Sequence, residues 1–244
     1  MNLWFKVTDL QRHKWRAPLS SSCFARKIVR TVPAYPHGRW SSMNESSNSA
    51  AIKLSLRQEL KAARIGLSAG ERIRLDLQIC AHLQRLLESC ADVNLAAYHA
   101  CRGEPDLAPA LTMLHGAGHR VHLPVLIDRE LRFRRWSPDA DMTPNRYGIP
   151  EPLEGSPCSA EQLDWVLLPL VAFSASGGRL GMGGGFYDRT FSFCLDRPPE
   201  QRPRLVGIAY ALQQIDSLPL ERWDVPLDGV LTEMGMRWIS AARE

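Results

Sequence analysis

At the centre of the sequence lies the stretch Ser174-Ala-Ser-Gly-Gly-Arg-Leu-Gly-Met-Gly-Gly-Gly-Phe-Tyr-Asp-Arg189, which holds six of the 17 glycines. A mostly apolar run over 164–173 precedes it and is typical of a buried strand, and aromatic residues recur at helical spacing over 186–195. Glycine permits positive φ angles and close approach of the backbone, and free N–H groups at a helix start attract anions. The stretch therefore predicts a strand, a phosphate-binding loop and a helix start in succession.

Two common phosphate-binding motifs do not fit this loop. A P-loop needs Lys followed by Ser or Thr after its last glycine, but Phe186 and Tyr187 stand there; the dinucleotide pattern needs its third glycine where Phe186 stands. The loop also carries Arg179, a permanent cation suited to phosphate, and Asp188, a hard oxygen ligand suited to Mg²⁺. A flexible surface turn is the alternative, although such turns seldom carry a flanking Arg, Tyr and Asp.

The composition is that of an ordinary globular protein. The chain has 244 residues, of which 45% are hydrophobic and 23% charged, so one domain or a domain with an appendage fits its length. No apolar stretch is long enough to span a membrane. The six cysteines are scattered without a Cys-x-x-Cys pair, which favours free thiols in a reducing compartment and hence a cytoplasmic protein.

The formal charge of +4 hides an uneven distribution. Residues 1–50 carry eight Lys or Arg against two acidic residues, a net of +6. Subtracting these from the totals of 30 and 26 leaves 22 basic and 24 acidic residues in 51–244, a net of −2. The body of the protein therefore lacks the charge of a nucleic-acid-binding surface, and a nucleic-acid partner is not expected.

We expect residues 1–50 to form a basic, Ser-rich extension without stable structure, because no hydrophobic period runs through them. Three explanations stay open. The first is a misassigned start, with Met43 as the true first residue. The second is an organellar presequence in residues 1–42, and the third is a functional basic arm that binds RNA.

The remainder, 51–244, is expected to be a single α/β domain of three layers, with a mainly parallel sheet flanked by helices. A helix is predicted over 51–65, and a capping box from Ser68 to Glu71 starts a second helix. Lys53 and Arg57 share one face of the first helix, and their spacing alone favours a solvated face. A third helix is predicted at 107–116, a long loop at 137–163, and strands at 93–99, 119–127, 131–136, 164–173, 205–210 and 229–232.

Taken in order, five motifs resemble the 5-formyltetrahydrofolate cyclo-ligase family, also called 5,10-methenyltetrahydrofolate synthetases. They are Lys53-x-x-x-Arg57, Gly103-Glu-Pro-Asp106, Tyr147-Gly-Ile-Pro-Glu-Pro152, Arg179-Leu-Gly-Met-Gly-Gly-Gly-Phe-Tyr-Asp-Arg189 and Trp223-Asp224. The glycine-loop motif is highly specific, whereas the Lys/Arg helix and the acidic turn are weak alone. The resemblance covers about four-fifths of the chain, everything but the extension.

The resemblance implies ATP- and Mg²⁺-dependent cyclisation of 5-formyltetrahydrofolate, with or without a polyglutamate tail, to 5,10-methenyltetrahydrofolate, by a monomer or weak dimer. The implied ATP-binding residues are Lys53, Arg57, Arg179, Leu180, Gly181, Met182, Gly183, Gly184, Gly185, Phe186 and Tyr187. Those implied for the folate are Glu104, His99, Tyr147, Met182 and Phe186, and those for Mg²⁺ are Asp188 and Asp224.

Two positions depart from the family pattern. Gly184 stands where some members have Lys, and Phe186 where Tyr is common. Both changes keep the backbone of the loop, so we expect activity to survive. The alternative function is that of a nucleotide-binding paralogue with a regulatory or RNA-linked role and no cyclo-ligase activity, since a fold does not fix a function.

Overall fold

The computed structural model describes residues 42–239, which form four α-helices and 13 strands. The helices are α1 (Ser42–Ile65), α2 (Ala69–Leu87), α3 (Ala108–Gly116) and α4 (Phe186–Thr190). The strands are β1 (Asn94–Ala96), β2 (Arg120–Ile127), β3 (Glu130–Arg135), β4 (Met142–Pro144), β5 (Pro150–Pro152), β6 (Pro157–Cys158), β7 (Trp165–Pro169), β8 (Ala172–Ser174), β9 (Arg179–Leu180), β10 (Arg204–Ile208), β11 (Gln214–Ile215), β12 (Gly229–Thr232) and β13 (Gly235–Trp238).

The main sheet has eight strands in the order β13-β12-β10-β7-β1-β2-β3-β6. Its centre is parallel, through the pairs β1–β2, β1–β7, β7–β10 and β10–β12. The edges are antiparallel, where β13 pairs with β12 and β3 pairs with both β2 and β6. The predicted mainly parallel sheet is confirmed.

Each face of the main sheet has its own apolar core. Leu167 of β7 packs with Leu83 of α2 and Leu111 of α3 on one face. The neighbouring Leu168 points to the opposite face and packs with Phe173 of β8 and Phe191, just after α4. Because successive strand residues point to opposite faces, the apolar run of β7 serves both cores. The predicted three layers are confirmed, with the layer on the second face built from α4, 3₁₀ turns and a small sheet.

The first two helices test the local predictions directly. The capping box is present: Ser68 Oγ accepts a hydrogen bond from the Glu71 N–H at 3.3 Å, and the Ser68 N–H donates to Glu71 Oε2 at 3.2 Å. Helix α1, in contrast, begins at Ser42, nine residues before the predicted start at 51. Part of the segment that we expected to lack stable structure is therefore helical.

The strand predicted over 164–173 is in fact two strands. The break falls at Leu170 and Val171, whose carbonyl oxygens accept hydrogen bonds from Gln213 Nε2 at 2.8 and 3.1 Å. After the break, β8 leaves the main sheet and joins β9 and β11 in a separate three-stranded sheet. This turn directs the chain towards the glycine loop.

Three further predictions need correction. The loop expected over 137–163 contains the β4–β5 hairpin and the edge strand β6. The helix expected after the glycine loop ends at Thr190 and continues as a 3₁₀ turn over Ser192–Leu195. The edge strand β13 was missed.

Most of the predicted extension, residues 1–41, lies outside the described residues. Its interpretation as a misassigned start, a presequence or a basic arm therefore stays a prediction. Within 42–239, none of the helices is both long and apolar enough to cross a lipid bilayer.

Candidate active site

The glycine loop lies between β9 and α4, and its residues 181–184 are exposed. Gly183 and Gly185 have positive φ angles of 98° and 64°, conformations that residues with a side chain rarely adopt. Arg57 Nε of α1 donates a hydrogen bond to the Gly181 carbonyl oxygen at 2.8 Å. The first helix is therefore anchored directly to the loop.

Lys53, one turn earlier on α1, reaches a second segment beside the loop. Its Nζ lies 3.3 Å from Glu221 Oε1 and 3.6 Å from Asp224 Oδ2, and its side chain is only 15% exposed. Asp224 also acts on Arg57: burial lowers the pKa of the Arg57 guanidinium, and the charge of Asp224 raises it. The solvated face that the spacing favoured is thus wrong, because both cations pack against the loop and the 221–224 turn.

Asp188 is held by Arg179. The Arg179 Nη1 and Nη2 atoms donate to Asp188 Oδ1 at 2.9 and 2.7 Å, and Arg179 is nearly buried. The same oxygen accepts the N–H of Val225 at 3.2 Å, which brings Asp188 beside Asp224. Arg179, predicted to hold ATP, therefore has its guanidinium engaged in orienting Asp188.

These two carboxylates suit Mg²⁺ when a polyphosphate is bound with it. Each side chain is partly exposed, at 25% for Asp188 and 20% for Asp224. In each carboxylate one oxygen accepts a hydrogen bond: Oδ1 of Asp188 accepts from Arg179, and Oδ2 of Asp224 accepts from the Glu221 N–H. The other oxygen of each carboxylate takes no part in these two hydrogen bonds. Mg²⁺ at phosphate sites typically takes one or two carboxylates and completes its shell with phosphate and water. Over residues 42–239, no group of three or more potential ligands forms a metal cage made of protein alone.

Glu104 lies buried at the end of the turn that follows β1. It is 7% exposed and accepts the Cys101 N–H at 3.1 Å. Burial raises the pKa of Glu104, opposed by the Cys101 N–H and the charge of Arg64, and burial next to Glu104 raises the pKa of Tyr187. Tyr187 belongs to α4, so the charge of Glu104 acts on the helix that directly follows the glycine loop.

Two aromatic rings lie next to each other at the glycine loop. The rings of Tyr147 and Phe186 meet edge to face with centroids 6.1 Å apart, and Tyr147 is half exposed. Arg189 Nη2 donates to the Gly184 carbonyl oxygen at 2.7 Å, and its guanidinium lies 5.3 Å from the centre of the Phe186 ring. Met182 is exposed on the same loop. The structure therefore brings Tyr147, Phe186 and Met182 to one region.

His99 is an exposed residue of the turn after β1. Within residues 42–239, its side chain makes no hydrogen bond or ring contact that would join it to this group. Its predicted contact with the folate stays a prediction.

The two positions that depart from the family pattern are close in space. A Cβ atom placed on Gly184 would lie 2.6 Å from Cε2 of Phe186, closer than real contacts allow. Any side chain at position 184, including Lys, would need the Phe186 ring to move. The same ring atoms are present in tyrosine, so this contact does not depend on the missing hydroxyl of Phe186.

Three residues of this region were not predicted from the sequence. Arg64 is completely buried and lies 3.9 Å from Glu104, Glu221 pairs with Lys53, and Arg189 holds the loop backbone. The signal for Arg64 was its position seven residues after Arg57, which places both on one face of the helix. No spacing rule indicates Glu221.

Comparison with known proteins agrees with this geometry. The model of the "5-formyltetrahydrofolate cyclo-ligase family" matches residues 49–233. A cyclo-ligase of Haemophilus influenzae is 36% identical over 72% of this chain and 95% of its own length, and one of Escherichia coli is 40% identical over 57% and 77%. The solved 5,10-methenyltetrahydrofolate synthetase of Aquifex aeolicus superposes with a TM-score of 0.68 at 32% identity, covering 79% of this chain and 95% of its own. The chain belongs to the 5-formyltetrahydrofolate cyclo-ligase family.

Proposed function

We propose that this protein closes 5-formyltetrahydrofolate to 5,10-methenyltetrahydrofolate at the expense of ATP, releasing ADP and phosphate. The observation that carries the proposal is the junction of α1, the glycine loop and the 221–224 turn, made by Arg57 on Gly181 and Lys53 beside Asp224. Two cations, a flexible glycine backbone and two adjacent carboxylates match the needs of phosphoryl transfer, which depends on positioning and charge neutralisation.

The chemistry accounts for a phosphate-binding loop close to a buried carboxylate. A formamide oxygen is a poor leaving group, so the γ-phosphoryl group of ATP first moves to the formyl oxygen and ADP departs. The N10 nitrogen of the folate then attacks the formyl carbon and loses its proton. Finally the C–O bond breaks, phosphate leaves, and the five-membered ring is closed.

In this scheme Lys53, Arg57 and the loop from Arg179 to Tyr187 hold the nucleotide, and Glu104 accepts hydrogen bonds from the pterin ring. Met182 and Phe186 border both ligands, and Tyr147 packs beside the folate, with His99 near the same pocket. Asp188 and Asp224 would hold Mg²⁺, which supplies charge neutralisation of the phosphates when bound.

We place the reaction in the cytoplasm, in a monomer or weak dimer. The cysteines of the described region, Cys80, Cys90, Cys101, Cys158 and Cys194, are all free thiols, as is usual in a reducing compartment. A related cyclo-ligase of Arabidopsis thaliana is named as mitochondrial, which keeps an organellar location for this chain as the alternative.

The test follows the absorbance band of methenyl-folate in a mixture of purified full-length protein, 5-formyltetrahydrofolate, ATP and Mg²⁺. Growth of the band that depends on ATP, with ADP released in equal amount, is the expected result. A Lys53→Met variant serves as control and should be slow at low ATP. Intact protein that binds ATP but never produces the band would overturn the proposal in favour of a silent nucleotide-binding paralogue.

A further inference from the structure

One buried charge pair stands apart from the nucleotide-binding residues. Arg64, near the end of α1, is 0% exposed, and its Nη2 lies 3.9 Å from Oε1 of Glu104. A fully buried arginine is rare and is usually retained only where it is paired and hydrogen-bonded. Its presence beside the carboxylate assigned to the folate needs an explanation that packing alone does not give.

The guanidinium of Arg64 fastens two parts of the backbone. Nη1 donates to the Leu170 carbonyl oxygen at 3.1 Å, where β7 ends, and Nη2 donates to the Arg102 carbonyl oxygen at 3.0 Å, in the turn that carries Glu104. That turn has positive φ angles at Arg102 (51°) and at Gly103 (77°), so its backbone is in an unfavourable conformation at Arg102. A hydrogen bond from a rigid, buried donor helps to hold it there.

The other charged and titratable neighbours of Glu104 cannot replace Arg64. Cys101 and Arg102 lie on the same turn, Tyr98 follows β1, and Tyr187 comes from α4. Burial raises the pKa values of Cys101, Tyr98 and Tyr187, which leaves them uncharged near neutral pH. Arg102 is exposed, so water and salt screen its charge.

We propose that Arg64 is the positioning residue for Glu104: it fixes the turn that carries Glu104 and supplies the countercharge that keeps it a correctly oriented acceptor for the donors of the folate ring. This inference rests on the proposed function. Arg64 is outside the set of residues proposed to hold the nucleotide, and it acts on folate recognition through Glu104.

The pH dependence of kcat/KM for the folate is the most direct test of this role of Arg64. Burial raises the pKa of Glu104 and the charge of Arg64 lowers it, so removal of that charge raises it further. The folate-binding carboxylate is lost as the pH falls through this pKa. In an Arg64→Met variant the acidic limb of kcat/KM for the folate should therefore move to higher pH, whereas Arg64→Lys, which keeps a charge, should leave the limb near its wild-type position.

A double-mutant cycle tests whether Arg64 acts through Glu104. Arg64→Lys should raise KM for the folate by about tenfold, the effect of weakening one interaction with a charged group, with KM for ATP unchanged. Adding Arg64→Lys to a Glu104→Gln protein should change KM for the folate by less than about twofold, because residues acting as a unit are not additive. If the Arg64→Met variant does not fold, this cycle still tests whether Arg64 acts through Glu104.

Arg72 provides the matched control. Like Arg64 it has a buried Nε without a partner among the described residues, and its Nη2 donates to the Ile65 and Leu67 carbonyl oxygens at 3.1 and 3.5 Å. Glu104 is not among its partners. Arg72→Lys should leave KM for the folate and the acidic limb unchanged.

Three outcomes would contradict the inference: multiplicative effects of Arg64→Lys and Glu104→Gln on KM, an acidic limb that does not move in a folded Arg64→Met variant, or an equal change in the Arg72 control. All of these assume an active wild-type protein. A wild type without cyclo-ligase activity would instead refute the proposed function, so the two failures are distinguishable.

Discussion

Gly183 offers a direct test of the glycine loop, because a matched control lies two residues away. Its φ of 98° lies in a region that L-residues avoid, and a Cβ there would stand 3.6 Å from Cζ of Arg57. Gly181, in the same loop, has an unstrained φ, and a Cβ there would meet nothing within 4 Å. Gly183→Ala and Gly181→Ala add the same methyl group to the same loop and differ mainly in backbone strain.

The magnitude follows from the conformational preference. A left-handed backbone costs an L-residue about 1–2 kcal/mol, which corresponds to a factor of about 5–30 in a conformational equilibrium. In Gly183→Ala the loop should leave its present conformation, and the binding-competent form should fall to about one-fifth to one-thirtieth of the population. Because apparent affinity falls with that fraction, KM for ATP should rise about 5–30-fold. Gly181→Ala should change it less than about twofold.

Initial rates of methenyl-folate formation at varied ATP measure this effect, and guanidinium unfolding of both variants checks that the global fold is intact. An unchanged KM for ATP in Gly183→Ala would show that the observed loop conformation is not the one that binds the nucleotide. Equal increases in both variants would refute the argument from strain, since the added methyl group alone would then be responsible.

Three further predictions concern charge and packing. Asp188→Asn should leave the protein folded but lower kcat sharply, and a titration of Mg²⁺ should require higher concentrations for half-maximal rate; turnover unchanged at low Mg²⁺ would exclude Asp188 as a ligand. Glu221→Gln should lower KM for ATP about two- to fivefold, because it removes a carboxylate that competes with phosphate for Lys53; a raised KM would show that Glu221 orients Lys53 instead. Leu83→Ala, at a fully buried site of α2, should reduce the free energy of unfolding by about 2–5 kcal/mol in guanidinium. Leu77→Ala, on the exposed side of the same helix, should change it by less than about 0.5 kcal/mol, and similar values for the two would contradict the burial pattern.

The layers of the fold could be predicted from sequence because they depend on patterns that are local. The Ser68 capping box needs only residues within one turn, and the apolar runs of β7, β10 and β12 identify the buried centre of a parallel sheet. The glycine loop was equally visible, since positive φ angles at Gly183 and Gly185 require the residue type itself.

What the sequence could not provide depends on contacts between distant segments. Leu170 and Val171 are as apolar as the strand before them, and the break between β7 and β8 coincides with a side chain 42 and 43 residues away, that of Gln213. The start of α1 was missed because Ser and Asn have low helix propensity. The pairing of Lys53 with Glu221 spans 168 positions, and no local pattern encodes it.

Several charged groups of the site form ion pairs with one another. Lys53 faces Asp224 and Glu221, Arg179 holds Asp188, and Arg64 lies beside Glu104. Such pairing offsets part of the desolvation penalty of these buried and partly buried charges, because each has a counterion within 4 Å. It also sets a condition on the ligand. A polyphosphate that drew Lys53 away on its own would leave Asp224 without its partner, whereas a polyphosphate arriving with Mg²⁺ would satisfy the lysine and the carboxylate together. On the proposed function, we therefore expect the magnesium complex of ATP to bind better than free ATP, through the same contacts that hold α1 against the glycine loop.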